Sequence, residues 1–247
     1  MTRTLAIAHR GFSARFSENT LTAYRAAIDA GADIVESDAR LSRDGIVWCC
    51  HDATLARLTG DSRAIADLTS EELSAIVLPG PERLTTLREV LARIAPERPV
   101  LIDVKTDAFD LIDAILRDVA DAGAVDRVWI GMRSAPQLGR ARAHDPGLSL
   151  LAFLPDYAQA DTFETAGADA LRIWEGDLDR PDAAALLERK TVFVTAGGRG
   201  TSAEVGDTTA EGLRRILHHR PKAVLLNDPS LLTGFAAARE PASPARP

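Results

Sequence analysis

The segment Asp33–Asp52, DIVESDARLSRDGIVWCCHD, is the most informative part of this 247-residue chain. Ile34–Ala39 begins with apolar and β-branched side chains, which predicts a strand, and Ile46–Cys50 predicts a second one. The Asp-Gly pair between them is a strong hairpin signal, because glycine adopts positive φ without strain and aspartate tolerates it well. We therefore expect the chain to double back at this pair and to bring His51 opposite the first strand.

Two acidic residues, Glu36 and Asp38, lie two positions apart on the first strand, so both carboxylates leave the same face. If His51 returns beside them, two acids and an imidazole crowd one spot. Carboxylates that close repel each other unless a cation lies between them. Hard divalent ions such as Mg²⁺ and Ca²⁺ take oxygen ligands of this kind. The alternative, from this segment alone, is a strand whose solvent face carries two acids.

Composition and charge narrow the class of protein. A hydrophobic content of 46% can bury a large core, and the net charge of −7 argues against non-specific nucleic-acid binding and against stable membrane association. The only cysteines, Cys49 and Cys50, are adjacent, and a disulfide between them would be strained. The first eight residues are too short and polar for a signal peptide, and no apolar run approaches the roughly 20 residues of a membrane helix. These features predict a cytoplasmic protein.

Eight apolar segments, each followed by a helical pattern, run through the chain and begin near residues 5, 34, 100, 127, 148, 170, 191 and 223. Eight β-α units in a chain of this length predict an α/β fold, a closed (β/α)8 TIM barrel with a short insertion after strand 2. The rival is a doubly wound open sheet, which would need edge strands that are polar on one side. We expect a single domain over residues 1–239 and a disordered tail over residues 240–247.

Barrel geometry places functional groups at the C-terminal ends of the strands. Seven ionisable residues from three consecutive units are expected at that rim: His9, Arg10, Glu36, Asp38, His51, Asp103 and Lys105. Three carboxylates suit one hard divalent cation, and two flanking cationic side chains suit an anion such as phosphate. Two imidazoles in opposite protonation states can act as base and acid in an in-line displacement at phosphorus. Together these groups predict metal-assisted phosphodiester cleavage.

The order of the short motifs resembles the glycerophosphodiester phosphodiesterase family. The motifs are Ala8-His9-Arg10-Gly11, Glu18-Asn19-Thr20, Glu36-x-Asp38, Asp44-Gly45 to His51-Asp52, Asp103-x-Lys105 and Asn227-Asp228. The resemblance is specific in the first 105 or so residues. It implies a TIM barrel that hydrolyses small-molecule glycerophosphodiesters to glycerol 3-phosphate and an alcohol, using one divalent cation, Mg²⁺ or Ca²⁺.

The resemblance also implies a role for each residue of the cluster. It makes His9 and His51 the catalytic acid/base pair and Arg10 and Lys105 the phosphate-binding residues, and it makes the three acids the metal ligands. The sequence departs from the family pattern at three places. Asp103 replaces the usual glutamate, as in the related spider-toxin phospholipase D enzymes. Gly131-Met132-Arg133 stands where the family has Ser-Phe, and Val194-Thr195-Ala196 stands where it has Trp-Thr.

Two alternatives to hydrolysis remain open. In the first, a hydroxyl of the substrate attacks phosphorus and leaves a cyclic phosphate, as in the toxin relatives. In the second, the barrel binds a phosphorylated metabolite without catalysis. Both histidines and all three acids are present, which argues against the second alternative.

Overall fold

The computed structural model describes residues 3–80 and 82–237, and the tail predicted for residues 240–247 lies outside them. Nine strands form the sheet: β1 (Leu5–Ala8), β2 (Ile34–Leu41), β3 (Val47–Trp48), β4 (Val100–Val104), β5 (Val128–Met132), β6 (Ser149–Phe153), β7 (Ala170–Trp174), β8 (Val192–Thr195) and β9 (Ala223–Leu226). All except β3 are parallel to their neighbours, and the pairing of β1 with both β9 and β2 closes them into a ring. The predicted TIM barrel is confirmed, and the open sheet is excluded.

Helices follow the strands of the ring and cover its outer face, except for two short ones, Ala56–Thr59 and Ser70–Ser74, that lie in the insertion after β3. They are α1 (Leu21–Asp29), α2 (Ala56–Thr59), α3 (Ser70–Ser74), α4 (Leu87–Arg93), α5 (Phe109–Asp121), α6 (Ala135–His144), α7 (Ala160–Thr165), α8 (Pro181–Arg189), α9 (Ala210–His218) and α10 (Ser230–Ala237). Each helix from α5 to α9 lies between two strands of the ring, as in a β-α repeat. Among the described helices, none is both long and apolar enough to cross a membrane.

The apolar residues divide into three cores. The largest packs the helices against the outside of the ring. A second fills the barrel interior with side chains that include Ile7, Leu101, Leu151 and Phe193. The third lies under the insertion that follows β3, around Leu55, and is separate from the other two. Because strand residues alternate between the two faces of a sheet, every second residue of each barrel strand points into the barrel.

The hairpin predicted at Asp44-Gly45 is present. Gly45 has a φ of 79°, and β3 runs antiparallel to β2 with Leu41 opposite Val47. The second strand is shorter than the predicted Ile46–Cys50, because the Cys49 amide donates to the carbonyl of Thr85 instead of continuing along β2. The chain therefore leaves the hairpin before Cys50, and His51 lies in the loop beyond it.

The insertion is ordered by helix capping. Thr69 is the N-cap of α3, where its side chain accepts from the Glu72 amide and Glu72 accepts in return from the Thr69 amide. The sequence by itself predicts a helix over Ser70–Ile76 with Ser70 as its N-cap, and this prediction is wrong by one residue. Ser70 is the first residue of the helix, and its amide donates to the Asp44 carboxylate of the hairpin turn. The hairpin and the insertion are thus joined through this carboxylate.

The barrel interior leaves no room for a side chain at Gly131, so we predict that Gly131→Ala is destabilising. A Cβ atom there would overlap the Phe153 ring, lying 2.7 Å from Cζ. Overpacking of this kind costs about 1–3 kcal/mol of unfolding free energy, measurable by urea denaturation. The matched control is Gly139→Ala in α6, where a Cβ atom meets nothing within 4 Å and should stabilise by about 0.5–1 kcal/mol. Equal stability of the two variants would contradict the prediction.

Candidate active site

The polar side chains at the mouth of the barrel point inward, as do the apolar side chains of the core that precede them on the same strands. Ile7 is followed two residues later by His9, Leu101 by Asp103 and then Lys105, and Leu225 by Asn227. These polar residues line a cavity of about 520 Å³ at the C-terminal ends of the strands. The lining also includes Arg10, Glu18, Glu36, His51, Arg133, Phe153, Arg172, Trp174 and Glu204. Six of the seven predicted site residues therefore meet in one cavity.

The seventh, Asp38, lies directly behind the cavity wall with its side chain fully buried. Carboxylate oxygens of Glu36, Asp38 and Asp103 all lie within 4.8 Å of one another. Asp38 and Asp103 are paired in register on β2 and β4, which accounts for the closeness of their side chains. The structure thus brings together the three acids that we predicted as metal ligands.

Two cations face the buried acids. Lys105 Nζ lies 2.7 Å from Asp38 Oδ1 and 2.6 Å from Asp103 Oδ2, and Arg133 donates to both oxygens of Asp103 at 2.5 and 3.0 Å. Burial alone would raise the pKa of Asp38 and Asp103. The charges around them, Lys105 with Arg10 at Asp38 and Lys105 with Arg133 at Asp103, together outweigh burial and hold both pKa values below their usual range. Burial would likewise lower the pKa of Lys105, and the two aspartates raise it instead.

Glu36 differs from the two aspartates. Burial, together with the charges of Asp38 and Asp103, raises its pKa well above the usual value. Asp38 Oδ1 has no hydrogen-bond donor aligned on it, even though Lys105 Nζ is close by. A raised pKa and an oxygen without an aligned donor are the features that a divalent cation would relieve. The three carboxylates therefore fit a hard cation.

His9 has a defined tautomer. The Asn227 amide nitrogen donates to the Val205 carbonyl at 2.9 Å and to Asp207 Oδ1 at 2.8 Å, so the amide oxygen is the atom 2.7 Å from His9 Nδ1. His9 Nδ1 must then carry the proton, which leaves a lone pair on Nε2. Burial, aided by the charge of Arg10, lowers the pKa of His9 to about 4. His9 is therefore a neutral imidazole with Nε2 available as a base.

The Asn227 amide is itself held by the loop after β8. Buried Glu175 accepts a hydrogen bond from the Gly197 amide at 2.8 Å and from the Thr208 hydroxyl at 3.2 Å, at the two ends of this loop. The backbone N–H of Asn227 also donates to this loop, to the Gly206 carbonyl at 2.8 Å. The orientation of His9 thus depends on a chain of contacts that begins at Glu175.

His51 is anchored differently, in a more open position. Its Nδ1 lies 2.8 Å from Asp52 Oδ1, and the other oxygen of Asp52 accepts from Arg57 Nε at 2.6 Å. The His51 carbonyl accepts from Arg40 Nε and Nη2 at 2.9 and 2.7 Å. Because Arg40 follows Asp38 on β2, the same strand carries a metal-ligand candidate and fixes the loop of His51.

Arg10 joins the loop after β1 to the acids. Its φ is 55°, a left-handed conformation, and its backbone amide donates to Glu36 Oε2 at 2.6 Å. Its guanidinium donates to Glu18 at 3.1 Å, and Nε lies 3.3 Å from Asp38 Oδ2. The side chain that we predicted to bind phosphate is therefore held at the cavity wall by two acids.

Several residues of the cavity were missed or underrated by the sequence reasoning. The sequence assigns no role to Arg133 or Arg172. At Phe153 and Trp174, which end predicted strands, it allows a place in the cavity lining but favours core packing, and the structure places both in the lining. Asn227 was noted only as part of a resemblance. Alternation along the strands would have indicated both arginines, because every second residue of a barrel strand points into the barrel. Arg133 lies four residues after the inward Trp129, and Arg172 lies two residues after the inward Ala170.

Fold and site together define a TIM barrel that carries a buried acidic centre between two histidines. Comparison with known proteins gives a more specific assignment. Residues 9–130 match the family model described as "Glycerophosphoryl diester phosphodiesterase family". A glycerophosphodiester phosphodiesterase of Caldanaerobacter subterraneus subsp. tengcongensis is 37% identical over 110 residues, which cover 42% of this chain and 45% of that protein. The chain spans less than half the length of the first curated relatives it matches.

Solved structures share the whole barrel at lower identity. A glycerophosphodiester phosphodiesterase from Agrobacterium tumefaciens str. C58 superposes with a TM-score of 0.80 at 20% identity, over 95% of this chain and 99% of that one. An Oleispira antarctica phosphodiesterase, solved in complex with the product sn-glycerol-3-phosphate, superposes with a TM-score of 0.83 at 20% identity, over 95% and 97%. The match to the glycerophosphoryl diester phosphodiesterase family thus rests on residues 9–130, just under half of this chain, whereas the shared barrel fold extends over nearly all of it.

The buried position of His9 predicts an acid-shifted titration in metal-free protein. NMR of the histidine side chains should show His9 neutral at pH 6, with a titration midpoint of about 4. Since the unfolded chain takes up this proton near pH 6.5, the stability due to neutral His9 is complete above that pH. It is lost as the pH falls toward 4. A His9 midpoint at or above 6.5 would contradict this account of the site.

Proposed function

We propose that this protein is a phosphoric diester hydrolase that cleaves a small-molecule glycerophosphodiester to glycerol 3-phosphate and an alcohol. The observation that carries the proposal is the presence of both histidines and the acidic centre in one cavity. The family match over residues 9–130 supports the same reaction, as does the glycerol 3-phosphate bound by the Oleispira relative. The cytoplasmic location stays a prediction from cysteine usage.

We assign the catalytic roles to His9 and His51. Neutral His9, with Nδ1–H held by Asn227, is suited to take a proton from an attacking water through Nε2. His51, with Nδ1 held by Asp52, is suited to give a proton to the departing alkoxide. The water adds to phosphorus, the ester P–O bond breaks, and the alcohol leaves with the proton from His51. Each such group typically contributes about 10²–10⁴ in rate.

We assign the binding roles to the cationic and acidic side chains around them. Arg10 and Lys105 would hold the non-bridging oxygens of the phosphodiester, because both cations line the cavity. Glu36, Asp38 and Asp103 would hold one divalent cation, Mg²⁺ or Ca²⁺. Such an ion supplies Lewis-acid neutralisation of charge on the phosphoryl oxygens.

Cleavage by a hydroxyl of the substrate is the second candidate reaction. Asp103 stands where the toxin relatives also have aspartate, and the same two histidines can serve an internal nucleophile. The two reactions differ in their first product, a cyclic phosphate against glycerol 3-phosphate. ³¹P NMR of the reaction mixture distinguishes them.

We predict metal-dependent release of glycerol 3-phosphate from glycerophosphocholine by the purified protein, abolished by a chelator. His9→Ala and His51→Ala should each lower kcat by about 10²–10⁴, because each removes one proton-transfer group. His144→Ala, an exposed histidine at the end of α6, is the matched control and should leave the rate unchanged. No turnover of any glycerophosphodiester with either ion would favour the non-catalytic barrel.

The metal site is tested separately from turnover. Asp103→Asn should weaken Mg²⁺ or Ca²⁺ binding in calorimetry by at least about 10–100-fold, the cost typical of losing even an outer-shell partner. Asparagine keeps the shape of the side chain beside Lys105 and Arg133. Asp126→Asn, at an exposed position before β5, should not change the affinity. Unaltered ion affinity in Asp103→Asn would remove Asp103 from the ligand set.

A further inference from the structure

The half of the cavity that faces His9 is built from arginine and aromatic side chains. In the ring of eight strands, β6 lies four strands from β1 in either direction, so β5, β6 and β7 form the wall across from His9. Arg133 follows β5, Phe153 ends β6 and Arg172 lies on β7. All three line the cavity. The proposed chemistry assigns no role to this wall.

Arg172 is a buried cation for which the described residues offer no hydrogen-bonded partner. The residue is 8% exposed, and its Nε and Nη1 atoms make no hydrogen bond within the described part of the chain. Its guanidinium lies over two aromatic rings, with Cζ 4.0 Å from the Trp174 ring centre and 5.1 Å from that of Phe153. The rings fix the direction of the guanidinium and attract its charge, but they offer no acceptor for its in-plane N–H groups.

A structural role does not account for this arrangement. Buried arginines that stabilise a fold are normally paired, because each unsatisfied buried donor is costly. The charge of Arg172 also lies near a like charge, since the Arg133 guanidinium contacts the same Phe153 ring at 4.6 Å from its centre. Burial, reinforced by Arg133, lowers the pKa of Arg172 to about 10, so the group remains charged at neutral pH. An arginine with a purely structural role would avoid the cost of burying an unpaired charge, either at the surface or beside a buried acid.

Arg133 differs from Arg172 because it is already engaged. It donates to both oxygens of Asp103, and its side chain is 40% exposed. The neighbouring arginine Arg199 is likewise engaged, by Asp177, and it stacks on Tyr157. Arg172 is therefore the member of this wall whose donors are left for a ligand.

We propose that Arg172, with Arg133 beside it, forms an anion subsite across the cavity from His9. Its ligand is a second anionic group, a carboxylate or a phosphomonoester, carried by the alcohol of the phosphodiester. The guanidinium fork matches the planar or tetrahedral oxygens of such a group, and the stacked rings hold it in place. The inference rests on the proposed hydrolase function and narrows its substrates to diesters with an anionic alcohol.

A matched pair of substrates tests the subsite. Glycerophosphoserine and glycerophosphoethanolamine differ by one carboxylate on the alcohol. We expect kcat/KM for the serine diester to exceed that for the ethanolamine diester by at least about tenfold, the worth of one charge-assisted hydrogen-bonded contact. In Arg172→Met the preference should fall to about one, and in Arg172→Lys it should be intermediate, because lysine keeps the charge but not the fork.

The control variant is Arg180→Met. Arg180 also stacks on an aromatic ring, that of Tyr157, and it pairs with Asp182 outside the cavity lining. The same loss of charge there should leave the preference unchanged. Inositol diesters with and without a phosphate on the ring repeat the comparison for a phosphomonoester. If the anionic diester is preferred in only one of the two pairs, that pair identifies the anion, carboxylate or phosphomonoester, that the subsite binds.

Folding of the variants is checked by thermal unfolding. Because Arg172 is buried without a partner, Arg172→Met should melt at the same temperature as the parent protein or a few degrees higher. A melting temperature lowered by several degrees would assign Arg172 a structural role and overturn the proposal. Equal loss of kcat/KM for both diesters would also overturn it, because that result would place Arg172 at the common phosphate.

Direct binding separates this inference from the proposed hydrolysis. Calorimetry in the presence of a chelator, where no metal-dependent turnover occurs, should show tighter binding of glycerophosphoserine to the parent protein than to Arg172→Met. If neither diester is hydrolysed with any divalent cation, but this binding difference is present, the hydrolase proposal fails and the anion subsite stands. If both diesters are hydrolysed equally and bind equally in parent and variant, the subsite fails and the hydrolase stands.

Discussion

Three buried carboxylates held side by side are the constraint on which the rest of this site depends. Glu36, Asp38 and Asp103 place oxygens within 4.8 Å of one another at the mouth of the barrel, where water cannot screen their repulsion. Lys105 and Arg133 offset part of that repulsion, while burial, together with the charges of Asp38 and Asp103, raises the pKa of Glu36. These two cations therefore stabilise the charged acids, and both also line the cavity.

The barrel meets this constraint through the alternation of its strands. An eight-stranded barrel is just wide enough for inward side chains to fill it, so its lower layers are apolar and close-packed. The same inward positions, two residues further along each strand, carry the polar groups of the cavity. Gly131 interrupts the series because the Phe153 ring takes its place, and that ring then supports both Arg133 and Arg172. The same inward-facing positions therefore carry both the apolar core and, nearer the C-terminal ends of the strands, the polar groups of the cavity.

Much of this arrangement could be predicted because it is local in the chain. Each barrel strand is an apolar run, the hairpin depends on one Asp-Gly pair, and Glu36 and Asp38 share a face because they are two residues apart. The errors are also local and small. Thr69 caps α3 in place of Ser70, and β3 ends before Cys49 because the Cys49 amide finds the Thr85 carbonyl, which no short pattern reveals.

The sequence by itself was enough to predict eight β-α units. It was also enough to predict that the acids and histidines lie at the C-terminal ends of the strands. It was not enough to establish which side chains pair across the ring. Asn227 meets His9 across 218 positions of sequence, and Arg133 meets Asp103 across 30. Arg172 lies over two rings, and its Nε and Nη1 atoms make no hydrogen bond within residues 3–80 and 82–237. Such contacts arise only when the ring closes in a particular register, because closure brings together the ends of strands that are far apart in the chain.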